Sequence, residues 1–324
     1  MNTATKLGSF ALGVALVFGA AYGAGQLAGP VTPVATTDHP TDDSGHDADG
    51  SATPGHDEGG GHESAGDRLP GGLLVADRGH TLVPVAAPTG EFAFQIVGPD
   101  GRPVTGYDVS HDKRMHLIVA RRDLSGFRHV HPEMSPDGTW RVASPLGGSG
   151  VWRAFADFTP TGGQPLTLGV DVTVPGELAE VPLPAPASST TVDGYTVDLD
   201  GTPQPGRSTT LTFTVSRAGV PVGDLETYLG AYGHLVALRR GDLAYLHVHP
   251  EGAPGDGRTP SGPQVSFATE FPTAGAYRLY LDFQHGGVVR TAEFTVHVGD
   301  PGDLPAPQSA APDDGHGAPG HEHD

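Results

Sequence analysis

Residues 115–134 read MHLIVARRDLSGFRHVHPEM, and residues 233–252 read GHLVALRRGDLAYLHVHPEG. Nine of the twenty aligned positions are identical, and the alignment needs no gap. A repeat normally preserves the apolar residues that hold its fold together. Here the polar imidazoles are kept as well, so each copy is expected to use them. The repeated histidines are His116, His129 and His131 in the first copy and His234, His247 and His249 in the second.

Each copy of the repeat predicts two strands joined by a turn. Side chains two residues apart on a strand share a face, so His129 and His131 point the same way. Whether His116 joins them depends on the hairpin register, because a slip of one residue exchanges the faces of a strand. A loop of two or four residues places all three histidines on one face. A loop of three residues places His116 on the opposite face.

Three imidazoles that converge from paired strands predict a metal site, since imidazole is a ligand for copper, zinc and nickel. Asp157 and Asp282 hold equivalent places in the later aromatic strands, VWRAFADF and AYRLYLDF, and either could supply a fourth ligand. The remaining polar residues of interest are Asp108 and Glu226 as weaker ligands, Glu133 and Glu251 as partners of imidazole N–H groups, and His111 and His285, which each occur in one copy only.

The composition favours copper, as Cu(II), with zinc as the second choice. The chain has no cysteine, which excludes thiolate ligands and disulfides. Met115 and Met134 are the only methionines after the initiator, so the thioether-rich sites that select Cu(I) are not expected. A net charge of −20 would attract cations and disfavours nucleic acid or anionic lipid as a partner.

The pattern of strands and turns predicts an all-β protein with two tandem immunoglobulin-like β-sandwich domains. Gly (49) and Pro (31) make up about a quarter of the 324 residues, which favours short strands and turns. Short alternating runs between turn signals give around seven strands in each block of about 100 residues, as in immunoglobulin-like sandwiches. We call residues 71–175 the first block and residues 191–299 the second block. A Pro/Ala/Ser-rich linker, residues 176–190, is expected between them.

The N-terminal segment predicts export of the protein, and the polar segments near both ends predict disorder. Residues 1–30 contain a Gly/Ala/Leu/Val run after Lys6, which reads equally well as a cleaved signal peptide or as a membrane anchor. Both interpretations place the rest of the chain outside the cytoplasmic membrane. Residues 31–70 and 300–324 are rich in His, Asp and Gly and poor in apolar residues, so they are expected to be disordered tails.

The runs MHLIVARRDL, HVHP and VWRAFADF resemble secreted bacterial proteins of the YtkA-like and heavy-metal-associated type. The composition resembles that of actinobacterial proteins. The resemblance covers both blocks. It implies immunoglobulin-like envelope domains linked to copper handling, with metal bound at His116, His129 and His131 and at the equivalent residues of the second copy.

These observations lead to one function and two alternatives. The leading hypothesis is an extracytoplasmic, non-enzymatic protein that buffers copper or delivers it to an envelope partner protein. The first alternative is a structural or adhesive protein whose histidines are incidental. The second is a metal-dependent enzyme, because three histidines with an open position can activate water. No nucleophile elbow or phosphate-binding glycine loop occurs, and duplication of the site suits binding capacity better than catalysis.

Overall fold

The computed structural model describes residues 69–248 and 250–299, without the side chain of His247. These residues lie within one compact unit and form eighteen strands, with no helix among them, which confirms the all-β prediction. Within this part of the chain, no helix is long and apolar enough to cross a membrane. The predicted N-terminal segment (1–30), most of the predicted tract 31–70 and the tail 300–324 lie outside the described residues.

Nine strands belong to the first block. Their bounds are β1 Ala76–Asp77, β2 His80–Val85, β3 Glu91–Val97, β4 His116–Arg121, β5 Arg128–Val130, β6 Glu133–Met134, β7 Thr139–Ala143, β8 Gly150–Phe158 and β9 Leu166–Val174.

The other nine strands belong to the second block. Their bounds are β10 Ser189–Val192, β11 Tyr195–Asp200, β12 Ser208–Arg217, β13 Val220–Pro221, β14 His234–Arg239, β15 Tyr245–Val248, β16 Gln264–Glu270, β17 Gly275–His285 and β18 Val288–Val298. The predicted linker spans the segment between β9 and β10 and includes the first two residues of β10.

Each block contains two antiparallel sheets, and the sheets that contain the histidine hairpins have the same order of equivalent strands in both blocks. The sheets of the first block are β1-β2-β3-β7-β6 and β5-β4-β8-β9. Those of the second block are β10-β11-β12, with β13 and β16 also paired to β12, and β15-β14-β17-β18. The repeated histidine hairpin therefore occupies the same two strand positions in both blocks, beside the strand that carries the buried aspartate.

An apolar core lies between the two sheets of each block, so the architecture is sandwich-like. In the first block, Leu117 and Val119 of β4 pack in one cluster with Phe94 and Trp140 of the facing sheet. In the second block, Leu235 of β14 belongs to the equivalent cluster. The hairpin strands thus direct one set of alternating side chains into these cores.

The opposite faces of the two hairpin sheets pack against each other. This interface cluster consists of Ile118, Ala120, Leu124, Phe127 and Phe155 from the first block and Val236, Leu238, Leu243, Tyr245 and Tyr280 from the second. The rings of Phe127 and Tyr280 stack with their centroids 3.9 Å apart, and the hydroxyl of Tyr280 donates to the carbonyl of Leu124 at 2.5 Å. Strand β4 is consequently buried on both faces, at every position except Arg121.

The segment between the blocks packs along this interface. Leu183 contacts the interface cluster. The backbone N–H of Val181 donates to the carboxylate of Asp123 in the first hairpin turn, at 2.9 Å. The side chain of Arg121 donates to the carbonyl of Ala179, at 2.6 Å. The Pro/Ala-rich segment is therefore attached to the tip of the first hairpin.

Candidate metal centre

The hairpin register places the three histidines of the first copy on one face. Strand β4 pairs with β5 so that Leu117 faces Val130 and Ile118 faces His129. Directly opposite residues share a face, so His129 and, two residues on, His131 lie on the side of Ile118 and His116. This register matches the prediction for a loop with an even number of residues.

These three side chains form what we call the histidine cluster: His116, His129 and His131. One ring nitrogen from each lies within 4.8 Å of the others. The ring centroids are 5.3 Å apart for His116 and His129, 5.0 Å for His116 and His131, and 4.8 Å for His129 and His131. Three imidazoles at these separations can converge on a single ion.

The backbone fixes which nitrogen His116 offers to the cluster. His116 is 5% exposed, and its Nε2 lies 3.0 Å from the carbonyl oxygen of Ser110. A carbonyl only accepts hydrogen bonds, so Nε2 carries the proton and donates. The neutral ring then has its lone pair on Nδ1, which faces His129.

A carboxylate from the other block fixes the nitrogen that His129 offers. Nδ1–H of His129 donates to Oδ2 of Asp282 at 2.9 Å, and the two side chains are only 6% and 5% exposed. The lone pair of neutral His129 is therefore on Nε2.

Two nitrogen lone pairs thus face each other, because Nε2 of His129 lies 3.1 Å from Nδ1 of His116. Either a shared proton or a cation has to lie between them. Ligand nitrogens on a tetrahedral zinc ion stand about 3.3 Å apart, close to the separation seen here.

The third imidazole of the cluster is held in its neutral form. Nε2 of His131 is buried and has no hydrogen-bond partner among the described residues. Burial, followed by the nearby imidazoles of His129 and His116, lowers the pKa of His131 to about 2. Neutral imidazole is the form that binds metal. A buried imidazole nitrogen without a partner among the described residues is suited to serve as a metal ligand.

The second copy repeats the arrangement around its first histidine. His234 is 5% exposed, and its Nε2–H donates to the carbonyl of Tyr228 at 2.8 Å, at the position in the repeat that Ser110 occupies in the first copy. Burial is the main cause that lowers the pKa of His234 to about 4. The predicted ligands His247, as a side chain, and His249 lie outside the described residues.

The two predicted aspartate ligands lie directly opposite the first histidine of each copy. Asp157 pairs with His116 across β8 and β4, and Asp282 pairs with His234 across β17 and β14. Asp282 accepts from His129 of the other block and, at 2.6 Å, from Thr291. Both of its oxygens are therefore engaged as hydrogen-bond acceptors.

Asp157 is also buried. It accepts hydrogen bonds from the hydroxyls of Thr167 and Tyr245, each at 3.4 Å. A cavity of about 200 Å³ borders Asp157, His116 and the weaker candidate Asp108.

The other residues considered from the sequence have partners of their own. Glu226 accepts from the backbone N–H of Gly287 and from Gln284. His285 lies within hydrogen-bond distance of Tyr195 and Asp224. Among the described residues, neither belongs to the histidine cluster.

Further residues considered from the sequence contact different parts of the chain. Glu251 contacts Thr210 at 3.3 Å, and Glu133 is exposed. His111, in contrast, lies edge-on to both first histidines, with centroids 6.1 Å from His116 and 5.4 Å from His234.

Sequence reasoning missed the carbonyl groups that fix the ligand nitrogens. Ser110 and Tyr228 lie six residues before the first histidine of their copies, but they differ in side chain and contribute only backbone oxygen. No residue-type signal could therefore reveal them. The bond between His129 and Asp282 joins residues 153 positions apart, and the repeat alone does not indicate it.

A domain family of unknown function (DUF8832) matches the chain twice, at residues 79–176 and at residues 190–300. The two matches together cover more than half of the chain. The chain belongs to this family. Each matched region contains one copy of the histidine repeat, and no curated protein matches the chain.

Solved structures offer only distant likenesses. A candidate membrane-anchored protein from Corynebacterium diphtheriae is 11% identical, with a TM-score of 0.20, and the alignment covers 71% of this chain and 60% of that protein. The chain therefore spans less than two thirds of that protein. A DUF3823 family protein from Bacteroides uniformis is 16% identical, with a TM-score of 0.20 and coverage of 62% and 94%. TM-scores this low carry no argument about fold or function.

Proposed function

We propose that this protein is an extracytoplasmic, non-enzymatic metal-binding protein that uses His116, His129 and His131 to hold copper. The observation that carries the proposal is the approach of His116 Nδ1 and His129 Nε2 to 3.1 Å while the other nitrogen of each ring lies within hydrogen-bond distance of an acceptor. The outer nitrogens of these two rings both lie at acceptors, so the protein itself directs the inner nitrogens toward one point. The buried Nε2 of His131, which has no hydrogen-bond partner among the described residues, supplies a third donor.

Cu(II) fits the donor set better than Cu(I), with Zn(II) as second choice. The three donors are imidazole nitrogens, which suit Cu(II) and Zn(II). Met115 is 1% exposed and packs in the core of the first block, where Met134 also packs. The sulfur ligands that would favour Cu(I) are therefore directed elsewhere in the described part of the chain.

We extend the proposal to a second site formed by His234, His247 and His249. The support is the gap-free repeat and the identical anchoring of His116 and His234 to a carbonyl six residues earlier. Asp157 remains our candidate for a fourth ligand of the first site, because it lies directly opposite His116 on the neighbouring strand.

A role in buffering or delivering the ion fits the surroundings of the cluster better than catalysis does. A catalytic metal site keeps a position open for substrate or water. Here Nε2 of His131 is buried and the side chain of His129 is only 6% exposed, which fits a site that holds an ion better than one that admits a substrate. The structural or adhesive alternative does not explain why three imidazoles converge.

The remaining parts of the proposal rest on the sequence. The apolar N-terminal run favours an extracytoplasmic location, with the segment either cleaved or kept as an anchor. The resemblance to YtkA-like and heavy-metal-associated envelope proteins favours two tandem immunoglobulin-like domains. It also favours an envelope protein as the partner that exchanges the ion.

Calorimetric titration with Cu(II), together with electron paramagnetic resonance, tests the proposal on the full chain. We expect the double variant His129→Ala/His131→Ala to lose one bound equivalent and its nitrogen-ligand spectrum. A matched control, His39→Ala/His46→Ala, removes the same number of histidines from the N-terminal tract and should keep that equivalent. Equal losses in both variants, or no loss in either, would contradict the proposal.

A further inference from the structure

Asp282 belongs to the second block but makes its short hydrogen bond to a histidine of the first. Its Oδ2 accepts from Nδ1–H of His129 at 2.9 Å, while Thr291 donates to Oδ1 at 2.6 Å. The carboxylate is 5% exposed as a side chain, so little water competes for either oxygen. A desolvated carboxylate held at both oxygens is a rigid acceptor.

This carboxylate determines which nitrogen His129 presents. With the proton fixed on Nδ1, the lone pair of His129 lies on Nε2, on the side of His116 and not on the side of the second block. Carboxylate partners of this kind set the tautomer and orientation of histidine ligands in metal sites and make them better donors. The partner usually belongs to the same domain, whereas here it comes from the other block.

The packing of the interface cluster holds Asp282 in place. Tyr280 lies two residues earlier on β17 and therefore on the same face. Its ring stacks on Phe127, and its hydroxyl donates to the carbonyl of Leu124 in the first hairpin turn. Phe127 is itself two residues before His129. The aromatic stack thus fixes the distance between the strand that carries the carboxylate and the strand that carries the ligand.

We propose that Asp282 is a positioning residue for the metal site of the first block, so that the site is complete only while the two blocks are packed together. This inference rests on the proposed function. Because binding and packing share one hydrogen bond, an ion in the histidine cluster stabilises the packed arrangement, and the packed arrangement raises the affinity for the ion.

The test uses the full chain with Zn(II) as a diamagnetic probe. Loss of a carboxylate partner typically weakens metal binding about 10- to 100-fold. We expect a loss of this size for the isosteric variant Asp282→Asn. The control Asp242→Asn alters a carboxylate that pairs with Arg239 in the second hairpin turn, and it should bind Zn(II) like the wild type.

Nitrogen-15 NMR of the His129 ring provides the readout that a purely structural role would not change. The wild type should show the proton on Nδ1, and Asp282→Asn should shift the population toward the form with the proton on Nε2. Thr291→Val removes only the second support of the carboxylate, and we expect a loss of several-fold. This milder variant keeps the test decisive if Asp282→Asn unfolds.

The outcomes separate the two proposals. Wild-type Zn(II) affinity together with an unchanged His129 tautomer in Asp282→Asn would overturn the positioning role and leave the proposed function intact. A wild-type chain that binds no ion at the cluster would overturn the proposed function. In that case a tautomer change in Asp282→Asn would still support the positioning of His129 by Asp282.

Discussion

The two histidine sheets share their strand order and their sequence repeat, but an aromatic residue beside their buried aspartates differs between the copies. Asp282 in the second block accepts the N–H of His129 at 2.9 Å. Asp157 in the first block accepts the hydroxyl of Tyr245 at 3.4 Å. Tyr245 stands at the position that Phe127 occupies in the first copy, and phenylalanine has no hydroxyl. Tyr245 therefore gives Asp157 a hydroxyl donor that Phe127 cannot give to Asp282.

The comparison shows that two copies of one ligand motif can have different residues beside their buried aspartates. The histidines are identical in both copies, and the first histidine of each is anchored in the same way. One residue that differs is the aromatic residue that each hairpin contributes to the interface cluster, Phe127 in the first copy and Tyr245 in the second. The aromatic residues of the interface cluster should therefore tune the two sites separately.

The largest expected effect comes from truncating the aromatic residues that join the blocks. Phe155 and Tyr280 hold equivalent places on β8 and β17, and both are fully or almost fully buried. We expect Phe155→Ala to lower the free energy of unfolding by about 3–5 kcal/mol. Tyr280→Ala should cost about 1 kcal/mol more, because it also removes the hydrogen bond to Leu124.

Denaturant unfolding of the full chain measures both changes. The exposed Val220→Ala on β13 is the control and should change the stability by less than about 0.5 kcal/mol. If Phe155→Ala and Tyr280→Ala lower the free energy of unfolding as little as the control does, the packing of the interface cluster does not contribute to stability.

A second expected effect is a loss of stability in acid for the metal-free protein. The pKa of His131 is lowered to about 2 and that of His234 to about 4, each mainly by burial. An imidazole in the unfolded chain titrates near about 6.5. Below that pH the unfolded state binds more protons than the folded state, so the free energy of unfolding falls as the pH drops.

Thermal unfolding in the presence of a chelator, from about pH 7.5 to about pH 4.5, measures this loss. His131→Gln cannot take up the proton, so its midpoint should fall less than that of the wild type. An equally steep fall in the variant would show that His131 is not held neutral by the packing.

The smallest expected effect tests the contribution of the hydroxyl group that Asp157 receives and Asp282 does not. Tyr245→Phe makes the second copy resemble the first at this position and removes the bond to Asp157. A single hydrogen bond contributes about 1 kcal/mol, so the unfolding free energy should fall by about that amount. The affinity of the equivalent held by His116, His129 and His131 should change by a few-fold, because Asp157 is the candidate fourth ligand of that site, while the other equivalent keeps its affinity. Identical shifts in both equivalents would contradict a separate tuning.

The sequence alone could predict the strands and the shared face of His129 and His131, because both follow from side-chain periodicity. The face of His116 depended on the hairpin register, which the sequence left open between loops of even and odd length. The sequence also contains an uninterrupted apolar run in β4. This run indicates that a second surface covers the strand, although a simple alternation rule does not take it into account. Leu117 and Val119 face the core, but Ile118 and Ala120 on the other face are equally apolar. A strand with one face in water would place polar residues there, so this uninterrupted run indicates burial on both faces.

The partner of the second face could not be predicted in the same way. Ile118 and Ala120 would be equally well covered by another chain, by a terminal segment or by the second block. The choice depends on the fit of Phe127 against Tyr280, which belong to strands far apart in the sequence. For the same reason the sequence marks Asp282 and His129 as candidate ligands, whereas the hydrogen bond between them is not visible in it.

Anomalous diffraction from crystals soaked in Cu(II) or Zn(II) tests the central claim most directly, because it locates the ion without reference to any variant. A peak about 2.0–2.1 Å from both His116 Nδ1 and His129 Nε2 is the predicted result, with His131 as the third nitrogen ligand. A peak confined to other residues, with His116 and His129 still joined to each other by a hydrogen bond, would contradict the claim.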